Sequence, residues 1–268
     1  MPAIDLTRLR KQAARLSDFF FVPDEFIRHL HEMLDSYVNY TVRKAPASAP
    51  GVELRTYRTP AVVVRQIEQE LAVNAGSAEN SDAALELADR LWDEPWLETR
   101  ILAAFLLGSI PPREERLLAR LTAWTNGLFD AGLRAELLNT SLARLRREAP
   151  EVFLELIGEW LQPQRKALWP NGIQAVIAAV KDAEFHNLPP LLKVIEPAVE
   201  AAPPKLQNEI EELILTLYAV TPTETAYFVR QILMDSEDPM TAITFRRISP
   251  SLPVELQEEI REFIRGKA

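Results

Sequence analysis

Cysteine is absent from this sequence of 268 residues. A disulfide framework, a thiolate zinc site, an iron–sulfur cluster and a cysteine nucleophile are thereby excluded. Histidine is scarce, with three residues. His29 and His31 stand two apart, so on a helix their side chains diverge by about 200° and do not share a metal ion. His186 stands alone. The patterns H-E-x-x-H, G-x-x-x-x-G-K-[ST], G-x-S-x-G and G-x-G-x-x-G are also missing. Their absence disfavours zinc peptidases, P-loop nucleotide hydrolases, α/β-hydrolases and dinucleotide-binding dehydrogenases. No metal and no cofactor is expected. No uncharged apolar run reaches the roughly 18 residues of a membrane-crossing helix. Met1 to Arg15 is charged and holds no apolar core of signal-peptide length. A soluble, cytoplasmic chain without membrane contact is the expectation.

Glycine is sparse at 8 residues while proline reaches 20, and 47% of the chain is hydrophobic. Alanine, leucine and glutamate dominate, which favours helices punctuated by prolines over a glycine-turned sheet. The net charge is −9. Residues 1–75 carry 10 basic and 9 acidic groups, residues 76–150 carry 9 and 12, and residues 151–268 carry 11 and 18. Such a chain repels nucleic acid at long range, although a local basic stripe still acts within a Debye length of about 8–10 Å.

Apolar periodicity reads as helix throughout. Residues 3–16 suggest a short amphipathic helix, and Pro23-Asp24-Glu25 opens a longer one with Phe26, Leu30, Met33, Leu34 and Tyr37 on one stripe. Ala45 to Gly51 reads as a loop, and Thr59-Pro60 as a helix start. Helical hairpins then begin near Pro95, Asp130, Arg165, Pro204 and Pro239, at intervals of 35, 35, 39 and 35 residues. Each is split by a turn at Pro111-Pro112, Ala149-Pro150, Asn187 to Pro190, Thr221-Pro222 or Ser249 to Pro253. Paired helices at this period point to stacked repeats with a concave groove. The expected fold is all-α, a HEAT-like α-α superhelix: a curved solenoid of antiparallel helix pairs. It forms a single domain over 1–268, with 1–50 as an N-terminal helical extension and linker. An irregular helical bundle is the alternative.

The stretch Leu91 to Gly108 reads as the end of one helix and the start of another. Asp93 is a candidate N-cap, Pro95 suits a first turn, and Glu94 and Glu98 lie near the positive end of the helix dipole. Ile101, Ala104, Phe105 and Gly108 share the following face. Leu91-Trp92, Glu98, Arg100, Ala103-Ala104 and Leu106-Leu107 resemble the signature helix pair of the DNA alkylation repair (AlkD-like) HEAT-repeat superfamily. Tyr57-Arg58-Thr59-Pro60 with Arg65 resembles that family's R-T-P segment. Ala242 to Arg247 resembles a degenerate form of its closing helix, and Glu148-Ala149-Pro150-Glu151 its x-H-P-E helix end.

The resemblance implies a fold that grips duplex DNA in its concave face. In the catalytic members an aspartate stabilises an oxocarbenium ion as an alkylated purine departs. Trp124 to Leu133 corresponds to the helix start that bears this residue, and the aspartate falls on Leu133. Asp130, one turn earlier, is the remaining catalytic candidate, and as an N-cap of a helix over 131–147 it has a purely structural alternative. A DNA-contacting arginine of the family falls on Gly172.

Candidate DNA-binding residues are Arg113, Arg116, Arg120, Trp124, Arg134, Trp169, Arg246 and Arg247. Arg113, Arg116 and Arg120 lie on one helix face and could track phosphates, or else pair with Glu114, Glu115 and Glu148 on a solvated face. Arg144, Arg146 and Arg147 form a second basic cluster, while Arg55 with Arg58 and Arg165-Lys166 form weaker ones. Trp124 and Trp169 adjoin loops and polar residues and could stack on bases; Trp92 and Trp160 read as core. Glu151, Glu155 and Glu159 read as solvated surface. Three classes of function are consistent with these residues. The leading one is a DNA-binding HEAT-repeat protein related to alkylpurine DNA glycosylases and lacking the usual aspartate. The others are a non-catalytic protein–protein scaffold and an active glycosylase using a shifted carboxylate such as Asp130.

Overall fold

The computed structural model describes residues 4–38, 54–112, 115–126, 131–236 and 238–267. Within them the regular structure is helical, apart from one isolated bridge between Arg55 and Trp96. The chain forms two compact units, Met1–Glu148 and Ala149–Ala268.

The first unit contains α1 (Leu6–Ser17), α2 (Pro23–Ser36), α3 (Ala61–Ala75), α4 (Ser81–Asp93), α5 (Leu97–Ser109), α6 (Glu115–Thr125), α7 (Ala131–Ser141) and α8 (Ala143–Glu148). Asp5 caps α1 by accepting the Thr7 and Arg8 amides at 2.9 and 3.1 Å, and Pro23 starts α2 where its missing donor costs nothing. Helices α1, α3, α5 and α7 pack successively side by side, while α2 lies against α4 and α4 against α5. The core between them is built from Leu9, Leu16, Leu30, Ile67, Leu71, Leu85 and Leu102. Arg144 of α8 closes two helix ends. Its guanidinium donates to the carbonyls of Gly76 and Ser109, the C-termini of α3 and α5, and to Glu148 at 2.9 Å. Cations are favoured at those negative dipole ends. The same contact holds the Glu148 carboxyl below the usual carboxylate range.

The second unit contains α9 (Pro150–Trp160), α10 (Trp169–Lys181), α11 (Leu188–Glu200), α12 (Gln207–Val220), α13 (Pro222–Asp235), α14 (Pro239–Ile248) and α15 (Val254–Lys267). Five of the seven carry proline in the first turn. Here α10 packs on α12 and α12 on α14, while α9, α11, α13 and α15 follow one another. Helix α10 is buried on nearly every side from Trp169 to Val180, as expected of a helix that is apolar all round.

The hairpin starts expected near 95, 130, 165, 204 and 239 correspond to α5, α7, α10, α12 and α14. Two local expectations change. Helix α4 runs through Asp93, and α5 begins at Leu97 with Trp96 as N-cap, so Asp93 and Pro95 do not open it. The intervening backbone instead pairs with Arg55: the Arg55 amide donates to Pro95 at 2.9 Å and the Leu97 amide to Arg55 at 2.8 Å. The helix expected over 131–147 is broken between α7 and α8, beside the point where Gly108 of α5 meets Thr140.

A Cβ on Gly108 would lie 2.2 Å from the Thr140 carbonyl oxygen, whereas one on Gly158 would rest 3.8 Å from Val194. Gly108→Ala is therefore expected to destabilise the protein by about 1–3 kcal/mol through overpacking against backbone. Gly158→Ala is expected to be neutral or stabilising by up to about 1 kcal/mol. Urea unfolding followed by circular dichroism measures both.

Candidate functional site

A buried polar constellation of the first unit lies where residues 54–60 cross the start of α5. Glu98, in the first turn of α5, is only 4% exposed. Its carboxylate accepts the Thr56 hydroxyl at 2.8 Å, the Tyr57 amide at 3.2 Å and the Thr59 amide at 3.4 Å. A buried carboxylate needs such donors, and the positive end of the helix dipole adds to them. Arg58, between two of the donors, adopts a left-handed φ of 55°. That conformation is costly for a residue with a Cβ. Its amide donates to the Thr56 hydroxyl at 2.9 Å, so the turn is tied down on both sides.

This turn presents the Tyr57 side chain to Trp96 and His31. The phenol ring stacks on Trp96 with centroids 4.0 Å apart, and the Arg55 guanidinium lies 5.9 Å from the Trp96 ring centroid. The Tyr57 hydroxyl meets His31 Nδ1 at 2.8 Å, and His31 Nε2 meets Glu94 at 3.2 Å. A neutral imidazole with its proton on Nε2 satisfies both contacts, donating to Glu94 and accepting from Tyr57. The chain Glu94–His31–Tyr57 thus joins α2, the 54–60 segment and the α4–α5 turn. Tyr57 is 8% exposed. Burial first, then the charges of Asp35, Glu98 and Glu94, push its phenol up to about 12. A hydroxyl so held is a structural donor rather than an activated nucleophile.

A second constellation adjoins it. Trp92 and Trp124 stack in parallel at 4.4 Å, and the Arg100 guanidinium lies 4.8 Å from the Trp92 centroid. Burial lowers the Arg100 guanidinium from its ordinary value, with Asp93 opposing that shift.

The sequence-derived site residues are dispersed. Arg116 pairs with Asp82 of α4, and Arg120 grips Asp89 of α4 through two bonds of 2.8 and 2.6 Å. The two arginines therefore share a face, and that face meets acidic residues of α4; Glu114 lies outside the described residues. Trp124 is buried in its stack on Trp92. Arg134 is half-buried on α7, as is Leu133. Trp169 is 0% exposed, with its indole N–H donating to the Gln162 carbonyl at 3.0 Å and Lys166 over its ring. Arg246 and Arg247 are exposed in the last turn of α14. Gly172 is packed against Leu161, whose Cδ2 a Cβ would meet at 2.5 Å. Arg113 and Asp130 lie outside the described residues. Among the described residues no group of three or more His, Asp or Glu side chains is placed to hold a metal ion. No described helix is long and apolar enough to cross a membrane.

Sequence reasoning missed the role of Glu98 as a carboxylate receptor for a distant turn, and gave the side chains of His31 and Tyr57 no place in a site. The available signal was the pairing of an R-T-P turn with a glutamate at a helix start. Comparison with protein-family models, curated proteins and solved structures finds no match to this chain.

Two outcomes test the geometry. Glu98→Gln keeps the shape but turns an amide N–H₂ toward backbone donors. It is expected to cost about 1.5–3 kcal/mol, the range for hydrogen bonds to a charged group, and to change Trp96 fluorescence as the Tyr57 stack loosens. The second concerns alkaline pH. A phenol raised in the folded state stabilises the fold fully below the ordinary value near 10, and this contribution is lost as pH rises through about 12. Tyr37 is also raised by burial, so absorbance titration should show a late-forming tyrosinate component that Tyr57→Phe reduces.

Proposed function

We propose that this chain is a HEAT-like α-solenoid, related to the alkylpurine DNA glycosylases, that binds duplex DNA without the usual catalytic aspartate. The observation that carries the reading is the meeting at Glu98 of two sequence stretches that resemble that superfamily, Tyr57 to Pro60 and Leu91 to Gly108. The successive side-by-side packing of helix pairs within each unit agrees with stacked repeats. Leu133 stands where the family's aspartate is expected, and a leucine offers no charge to an oxocarbenium ion.

A protein-binding scaffold is the second reading. It is favoured by the pairing of Arg116 and Arg120 with Asp82 and Asp89, which neutralises the stripe best suited to phosphates. A third, base excision through Asp130, would make Asp130→Asn abolish release of alkylated bases, whereas a mere cap tolerates Asn.

Fluorescence anisotropy of a labelled duplex, intact or carrying an abasic-site analogue, tests the first reading at low and moderate salt. Binding that falls steeply with salt is the expected result. Changing both Arg246 and Arg247 to Ala should weaken it and reduce the log–log salt slope by about 0.9 per lost phosphate contact. Absence of binding at low salt overturns the DNA reading in favour of the scaffold.

A further inference from the structure

We infer that the groove between α13 and α15 is a docking site for a basic amphipathic helix of a partner protein. Its floor is apolar: Leu233 and Met234 of α13 face Ile260 and Phe263 of α15. Met234 is 55% exposed, and Tyr227, two turns earlier on α13, is 64% exposed. Tyr227, Arg230 and Met234 are spaced i, i+3, i+7, so they form one ridge on α13, of which Arg230 and Met234 line the groove. Two packed helices with parallel ridges offer the complement to a third helix, which would insert its own i, i+4 side chains between them. Methionine and tyrosine suit such a surface, because the thioether adapts its shape and the phenol presents a broad amphipathic face.

Charge selects the occupant. Of the charged groups lining the groove, Arg230 is paired with Glu259 at 2.9 Å, and Glu262 adds a further negative charge. The surrounding sequence strengthens the sign, with 18 acidic and 11 basic groups over residues 151–268. Lysine or arginine flanking an apolar stripe meets all of these requirements. A second copy of this chain, at −9, and a nucleic acid carry the wrong charge.

The test uses the full chain and a fluorescent helix-forming peptide of leucine and lysine, with its leucines on one face and about five helical turns long. A leucine–glutamate peptide of the same pattern is the control. The leucine–lysine peptide is expected to bind and the control is not. Met234→Arg should weaken binding at least about tenfold, equivalent to about 1.4 kcal/mol. Val73→Arg adds the same charge at an exposed position of α3 in the other unit, and should leave binding unchanged. Failure of the leucine–lysine peptide to bind, equal binding of both peptides, or equal effects of Met234→Arg and Val73→Arg would each overturn the inference.

Discussion

A single buried carboxylate organises the first unit. Glu98 stands at the start of α5, and α5 packs on α3, α4 and α7. Without Glu98, three donors of the 54–60 turn would face a helix end that already holds unsatisfied N–H groups of its own. With it, three donors of the turn converge on one negative charge set at the positive end of α5. The left-handed Arg58, the Tyr57–Trp96 stack and the His31 bridge to Glu94 are all positioned by that turn. Strain at one residue is tolerated because the bonds around it overdetermine the conformation.

The arginines follow a related logic. Arg90 binds Asp24, Arg116 binds Asp82, Arg120 binds Asp89 and Arg230 binds Glu259, each linking two different helices. Exposed pairs of this kind contribute little stability individually. Their larger effect is on the surface field, because each pair removes one cation from the set that could meet a phosphate backbone. A chain with 39 acidic and 30 basic groups has few cations to spare. Any nucleic-acid surface must be assembled from the remainder, such as the exposed Arg246 and Arg247 at the C-terminal end of α14.

Helix positions were legible in the sequence because prolines mark them. Pro23 and Pro239 each begin a helix as read, and the turns read at Pro111-Pro112, Ala149-Pro150 and Thr221-Pro222 fall at helix boundaries, with Pro150 and Pro222 as the first residues of α9 and α13. The start of α5 was not legible. Local chemistry made Asp93-Glu94-Pro95 an attractive cap, but a backbone partner about 40 positions away, Arg55, claimed that segment instead. The candidate site was only partly readable for the same reason. Helical spacing correctly put Arg116 and Arg120 on one face, but periodicity says nothing about what faces them, and α4 supplied Asp82 and Asp89. Trp169 sits beside polar residues in sequence, yet the all-round burial of α10 draws its indole into the core. Glu98 was read as a dipole partner, which is true locally, while its long-range role depended on a turn whose geometry no periodicity encodes.

Arg144 gives the unit a property that its helices would not have separately. One guanidinium accepts responsibility for the carbonyl ends of both α3 and α5. Terminal turns normally open and close independently, each at its own small free-energy cost. Here both ends share one donor, so a movement of α8 that withdraws the Arg144 guanidinium uncovers the last turns of α3 and α5 together.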